Sequence, residues 1–489
     1  MRYAAKEAEK PRLLIRWIIK SLFKMKAFKH QCFLMKIELG LDDYLLSKDQ
    51  SIPAFCDFDS LVNAHVLVMG KTGMGKTTFL RRFIQQARQF SPAPRIHIMD
   101  VHGDIDLPGA SSVRFSESTD YGLNPFIVSP DRHYGGVRKR VQDFIATING
   151  SRPIGSRQEA VMRHLITDLY SANGFFADNY KSWVLEDGFD RKYPKHYPTM
   201  EDACRYAFVK LKQLIIGSDT QAGRALEELN KVTSKLYKIS KQLSAPGAKP
   251  DGELLEKAMD LRQKAIKSYK EYIEHLETGK ELDDFIKYES KEVLKSVVER
   301  FDNLKASGIF KNRIPPFEAF NPVWHYDITA LREDEKRMFV EFRLQEIFSS
   351  SLERGPVRRE EEGLLRDIMI IDEAHLFFRD DENNILNTIA KEGRKFGLGL
   401  VCASQSPTHF SEDFFSNVAT KVVLGVDQMY WDHLIRKLKI DGKLMQYIKP
   451  FHVIGVQMSN KGETRSRFTM VRVPKSKSSS NQEMNHGER

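Results

Sequence analysis

The chain reads as an α/β protein: a sheet flanked by helices, with an inserted α-helical hairpin. Three observations predict this. A glycine-rich octapeptide, Gly70 to Thr77, stands between an apolar run and a helix; a second apolar run ends in Asp372-Glu373; and two long amphipathic stretches lie between them. With 489 residues, 41% of them hydrophobic, the chain can bury a substantial core. No apolar run approaches the ~18 residues that would span a membrane.

The first strand is Ala64-His65-Val66-Leu67-Val68-Met69, and it leads into Gly70-Lys71-Thr72-Gly73-Met74-Gly75-Lys76-Thr77, a P-loop, with Thr78 continuing into a helix. Gly70, Gly73 and Gly75 let backbone N–H groups curl around phosphates without Cβ clashes, and the helix that follows turns its positive end toward them. Lys76 is placed to reach the β- and γ-phosphates, and the Thr77 hydroxyl to ligate Mg²⁺. The octapeptide with Thr78 therefore predicts binding of ATP with Mg²⁺.

Ile368-Met369-Ile370-Ile371 suits a central parallel strand covered on both faces, with Asp372 and Glu373 at its C-terminal end, where open α/β sheets place their ligands. Asp372 is the expected partner of Mg²⁺, directly or through the metal's water. Glu373 is suited to orient and deprotonate a water aimed at the γ-phosphate, which predicts hydrolysis rather than storage. Two more strands end on the same edge. Arg95 to Asp100 runs into Val101-His102-Gly103-Asp104, and Gly397 to Ser404 ends at Gln405. The Gln405 amide can donate to a phosphate oxygen and accept from a water, so it could sense the γ-phosphate; its plainer role is a strand-end hydrogen bond. Asp100 and Asp104 either hold the water of the metal or of the attack, or close the turn.

Taken together, Asp100-Val101-His102-Gly103-Asp104, Ile371-Asp372-Glu373-Ala374-His375, and Glu392-Gly393-Arg394-Lys395-Phe396-Gly397-Leu398-Gly399 running into Ser404-Gln405-Ser406-Pro407 resemble the HerA–FtsK superfamily, nearest to its HerA-type and type IV secretion or conjugation ATPases. Ile52-Pro53, Asp57 to His65, Tyr121 to Phe126 and Gln158-Glu159-Ala160 extend the resemblance, which covers roughly residues 38 to 215 and 320 to 473. Asp104 stands where a glutamate is common and Ser406 where an arginine is common. The resemblance implies a RecA-like, additional-strand P-loop NTPase core that works as a homo-oligomer, a hexameric ring with ATP sites between subunits. Arg394 would then be the finger reaching into a neighbour's site; otherwise Arg394 and Lys395 are a basic helix end.

The net charge of +10 is concentrated at one end: residues 1 to 36 hold ten Lys and Arg against Glu7 and Glu9, leaving the rest close to neutral. A DNA channel must therefore be a local basic stripe. Within the N-terminal segment, Leu13 to Lys24 alternates apolar groups with cations, as in a helix lying on an anionic membrane or docking on a partner. Met25 and Met35 are alternative starts. Cys32, Cys56, Cys204 and Cys402 lack pair spacing and read as reduced thiols.

The insertion is a helical hairpin. Its first arm carries Leu226, Leu229, Val232, Leu236, Ile239 and Leu243; breaks follow at Pro246-Gly247 and Pro250-Asp251-Gly252; its second arm carries Leu254, Ala258, Leu261, Ala265, Tyr269, Tyr272, Ile273 and Leu276 on the apolar side. Strands are expected at Val323 to Ile328 and Thr420 to Val426, with His452 to Met458 and Arg467 to Val473 as an antiparallel pair at the sheet edge. The expected organisation is a basic extension over 1–36, a RecA-like core over 37–215 and 306–474, the helical insertion over 216–305 and a disordered tail over 475–489.

The leading functional expectation is an ATP-hydrolysing ring motor that translocates DNA and acts with a nuclease or other effector. The alternative is a secretion or conjugation ATPase that docks on membrane machinery and moves protein or a DNA–protein complex. Either is expected in the cytoplasm, with membrane contact only through the N-terminal basic segment, peripheral at the inner face. A two-lobed helicase needs a second lobe after Phe378, for which too little chain remains, and a non-hydrolysing scaffold does not need Glu373.

Overall fold

The computed structural model describes residues 35–185, 195–216, 220–243, 252–275, 287–288, 290–358, 363–379 and 384–474. The basic segment before residue 35, the hairpin breaks at 246–251, Leu276 and the tail after 474 lie outside the described residues. Two compact units emerge, Met1–Phe115 with Pro316–Leu331 and Arg343–Arg489, and Ser116–Pro315 with Arg332–Phe342.

The first unit is built on one eleven-stranded sheet. Its strands are β1 (Lys36–Asp42), β2 (Pro53–Asp57), β3 (Val66–Gly70), β4 (Arg95–Asp100), β5 (Ser111–Arg114), β6 (Val323–Asp327), β7 (Asp367–Ile371), β8 (Leu398–Ser404), β9 (Thr420–Gly425), β10 (Val453–Met458) and β11 (Arg467–Arg472), in the order β2-β1-β11-β10-β9-β3-β8-β7-β4-β6-β5. From β9 to β5 all neighbours run parallel, so Gly70, Asp100, Ile371 and Ser404 end on one edge. The strand β8 separates the P-loop strand β3 from the acidic strand β7, the additional-strand arrangement.

Continuous apolar runs reflect burial on both faces. Val66, Val68, Ile96, Ile98, Ile368, Ile370, Val401 and Ala403 point to one face and join Leu80, Phe83 and Ile84 of helix Lys76–Ala87. The alternate residues Leu67, Met69, Met99, Met369, Ile371 and Leu400 are equally buried on the other face. Each such side chain contributes about 1.5–3 kcal/mol relative to exposure, which holds the site-bearing strand ends rigid.

One strand expectation is corrected. β10 and β11 do pair antiparallel, but they lie inside the sheet, because β9 pairs with β10 and β1 adds to β11, with β2 outside it. Hydrogen-bonding edges left by a hairpin invite further strands, and here residues 36–57 supply them.

The second unit is helical. It holds helices Val137–Ser151, Ser156–Ala172, Met200–Ile216, Thr220–Leu243, Gly252–Glu274 and Lys291–Ala306, with the start of helix Glu333–Glu353. Phe144 packs against Phe126 and Phe342 with ring centroids 4.9 and 5.9 Å apart, and Phe310 lies 5.7 Å from Phe342. Asp168 accepts from Lys287 Nζ and from the Tyr288 hydroxyl, both at 2.6 Å, and Gln158 Nε2 donates to Ser296 Oγ at 2.9 Å. These ties draw residues 116–215 into the helical unit, so it begins at Ser116 rather than at the insertion boundary of 216 expected from the sequence.

Helices Thr220–Leu243 and Gly252–Glu274 pack on each other as the expected arms. Val232 faces the contact, and on the second arm Ser268 is buried while Tyr269 and Ile273 are 53% and 51% exposed. Leu254, Ala258, Leu261, Ala265 and Tyr272 lie on the inner row as drawn from the sequence, with Ser268 in the place given to Tyr269 and Ile273 off the row.

Candidate active site

Chain geometry at the end of β3 forces the P-loop shape. Gly73 and Gly75 sit at φ +82° and +91°, in the left-handed region that favours glycine. Lys71 N–H donates to Gly425 O at 2.8 Å and Met74 N–H to Lys71 O at 3.1 Å, which pins the loop to β9. A Cβ at Gly75 would stand 2.9 Å from the Phe451 ring. Helix Lys76–Ala87 starts here with free N–H groups at its end.

A cavity of about 650 Å³ opens at this turn, lined by Thr72, Gly73, Gly75, Lys76, Thr77, Thr78, His102, Asp104, Asp372, Glu373, Gln405 and Phe451. The structure brings together Thr72, Gly73, Gly75, Lys76, Thr77, Thr78, Asp372, Glu373, Gln405 and Asp104 from the sequence-derived set. Gly70 is buried in the strand, Lys71 turns outward to Asp427 with Nζ–Oδ2 at 3.3 Å, and Met74 packs toward Gly425.

The carboxylates behave differently. Asp372 is 3% exposed, and burial, with Glu373 and Asp100 nearby, pushes its carboxyl up to about 6. Glu373 follows in a left-handed conformation, φ +50°, that swings its side chain into the cavity. Its Oε1 accepts from Gln405 Nε2 at 2.9 Å and lies 3.5 Å from Lys76 Nζ, while Oε2 lies 3.2 Å from His375 Nδ1. Burial alone would raise the Glu373 carboxyl, but His375, Gln405 and Lys76 outweigh it and bring it down to about 2. Gln405 also accepts from the Thr72 hydroxyl at 3.0 Å. A hydrogen-bonded chain thus runs from the P-loop through the amide to Glu373.

Asp100 is used by its own turn. It accepts from His102, Gly103 and Ile105 N–H at 3.2, 2.7 and 3.0 Å and from His325 Nε2 at 3.0 Å. Burial raises it, and those hydrogen bonds, His325 first, more than compensate, so it lies below the usual carboxylate range. It shapes the loop that carries His102 and Asp104 to the cavity.

Arg394 is elsewhere. It is exposed on the turn Gly393–Phe396 ahead of β8 and borders a separate cavity with Lys391 and Lys395. β8 has seven residues and Gln405 follows its other end, so at ~3.3 Å per residue Arg394 stands on the order of 20 Å from its own cavity.

Three contributors carried no role in the sequence reading. Phe451, at φ +61°, lies against Gly75 because the turn before β10 folds over the P-loop. His102 lines the cavity from the Asp100 turn. His375 braces Glu373 and stacks on His409, centroids 5.1 Å apart; its signal was its place two residues after Glu373.

Residues 44–130, which contain the P-loop and the Asp100 turn, match the family described as Helicase HerA, central domain. Over those residues the chain resembles a HerA central domain. Among its HerA relatives, the DNA double-strand break repair helicase HerA of Pyrococcus furiosus is 43% identical over 63 residues, 12% of this chain and 11% of that protein. HerA of Saccharolobus solfataricus is 35% identical over 105 residues, 20% of each chain. The matched segments thus span a fifth or less of those HerA proteins. VirB4 of Thermoanaerobacter pseudethanolicus shares the fold with a TM-score of 0.53 at 13% identity, over 91% of this chain and 97% of that one. The fold shared with that VirB4 therefore extends across the chain well beyond the segment of sequence identity to HerA.

Proposed function

We propose that this HerA–FtsK ATPase hydrolyses ATP to translocate DNA, as a homo-oligomeric ring, a hexamer, with a nuclease or other effector as its working partner. The observation that carries the reading is the hydrogen-bonded chain Thr72–Gln405–Glu373 closing on Lys76 inside one cavity.

P-loop N–H groups and the helix end receive the phosphates, and the Lys76 ammonium turns to them. Thr77 and Asp372 offer hard oxygen donors to the same cavity and fit Mg²⁺, which would neutralise charge on phosphate oxygens. Withdrawing Lys76 from Glu373 removes one of the charges that hold this carboxyl down. Glu373 then gains basicity toward a water aimed at the γ-phosphate, with Gln405 and His375 fixing its direction. Arg394 is set apart from its own cavity and completes the site of the next protomer, where such an arginine contributes ~10³ to 10⁵ in rate.

Glu373→Gln should retain ATP binding and lose at least ~10² in phosphate release, the scale of a general base. Wild-type phosphate release should rise on adding DNA at low salt. Turnover indifferent to single- and double-stranded DNA would overturn the DNA reading, and co-sedimentation with membranes together with that indifference would favour a secretion motor.

A further inference from the structure

β9 lies parallel to β3, so its first residues stand on the sheet edge opposite the nucleotide cavity. There a groove of about 1040 Å³ runs between helices Glu412–Asn417 and Trp431–Leu438 and the turn joining β10 to β11. In its wall, Lys421 is only 5% exposed. Its Nζ donates to Val418 O at 2.7 Å, and no carboxylate lies within ion-pairing distance among the described residues. Burial pulls this ammonium down to about 8.

The Phe415 ring has the Lys421 ammonium 5.2 Å and the Lys437 ammonium 5.1 Å from its centroid. Arg436, Lys439 and Arg465 are exposed along the rim; among the described residues Glu412 is the one acidic residue lining the groove, and His433 Nε2 is buried without a hydrogen-bond partner. A buried cation without a counterion is unfavourable unless an anion arrives. One phosphate would satisfy Lys421 and leave the three rim cations uncompensated, whereas a polymer with regularly spaced charge engages them together.

We propose that this groove binds the phosphate backbone of the DNA that the motor moves. The inference rests on the translocase reading above. The strand that carries Lys421 as its second residue ends at Gly425, whose carbonyl holds the P-loop through Lys71 N–H, so β9 joins the groove to the nucleotide cavity as one rigid element.

The test uses the full chain and a fluorescently labelled DNA duplex titrated between ~50 and ~200 mM salt. The triple variant Arg436→Ala/Lys439→Ala/Arg465→Ala should bind at least ~10-fold more weakly, with a salt slope shallower by up to about three, one for each phosphate no longer neutralised. Lys421→Met should flatten the slope by about one while its melting temperature holds or rises, because it removes an uncompensated buried charge. ATPase without DNA should be unchanged in both. Wild-type affinity and slope in both variants would overturn the groove assignment while leaving the translocase reading intact. A wild-type chain that binds no DNA defeats both. A triple variant that falls to monomers in mass photometry yet keeps its DNA affinity would mean that a second copy of the chain covers the groove, which also overturns the proposal. Should assembly and affinity fall together, the slope of Lys421→Met decides.

Discussion

Glu373 is held by three groups before any nucleotide arrives, and each can be removed separately. Lys76→Ala should abolish nucleotide binding, read with a fluorescent nucleotide, because the phosphates lose their counter-charge. Gly75 offers a sterically cleaner probe: at φ +91° any side chain is strained, and a Cβ would also strike Phe451 at 2.9 Å. Gly75→Ala should weaken nucleotide affinity by ~10-fold or more, for a backbone cost of order 1–3 kcal/mol. Adding Phe451→Ala should recover only the part due to the ring, and full recovery would show that the backbone conformation costs nothing. The places of Asp372, Glu373 and Gln405 after strand ends, and of Lys76 at the helix start after the P-loop, were legible in the sequence because apolar runs and glycines mark those boundaries. Phe451 was not, since its closeness to Gly75 depends on a turn nearly four hundred residues away in the sequence.

At the level of elements, the residue just before β3 is a titratable group with a measurable signature. His65 is fully buried; its Nδ1 accepts from Leu400 N–H at 3.1 Å and its Nε2 has no partner. Burial pushes it down to about 4 from an ordinary 6.5. As pH falls, the unfolded chain takes up the proton first, so folding stability is flat above about 6.5 and declines toward pH 4, by on the order of 3 kcal/mol. Urea unfolding midpoints at successive pH values should follow that window, and His65→Gln should flatten part of it. If the variant shows the same decline as the wild type, His65 is not its source; His97, which burial also lowers, titrates on the same side.

Strands β3, β7 and β8 were readable because burial on both faces makes their sequences nearly continuously apolar. The placement of β10 and β11 was misread, since nothing local in Val453 to Arg472 reveals that β1 will pair with β11. In helix Gly252–Glu274 the apolar residues outnumber the inner positions, so composition alone could not choose between Ser268 and Tyr269 for the inner row.

Across the whole molecule, the helical unit's start at Ser116 shows where reading by motif runs out: Tyr121 to Phe126 belongs to the family-like sequence, yet Phe126 packs on Phe144 and Tyr170 while Tyr121 and Leu123 bridge to Arg313 and Phe310, all within the helical unit. Arg394 supports the most decisive test at this scale. Arg394→Ala should bind ATP and lose turnover; Lys76→Ala should lose both. Mixing the two inactive variants should restore part of the activity, because an intact P-loop of one then meets an intact arginine of the other. No restoration at any ratio, in assemblies verified as mixed, would place Arg394 outside the site.

The length of β8 between Arg394 and Gln405 has a geometric consequence for how copies join. On the role proposed for Arg394, donor and recipient lie on different surfaces, so a two-fold isologous dimer is not the natural way to fill every site; a head-to-tail contact does so. Such contacts either close into a cycle or continue as a filament, so closure angle, and not contact strength, determines whether every bound triphosphate meets an arginine or one at the terminus goes without.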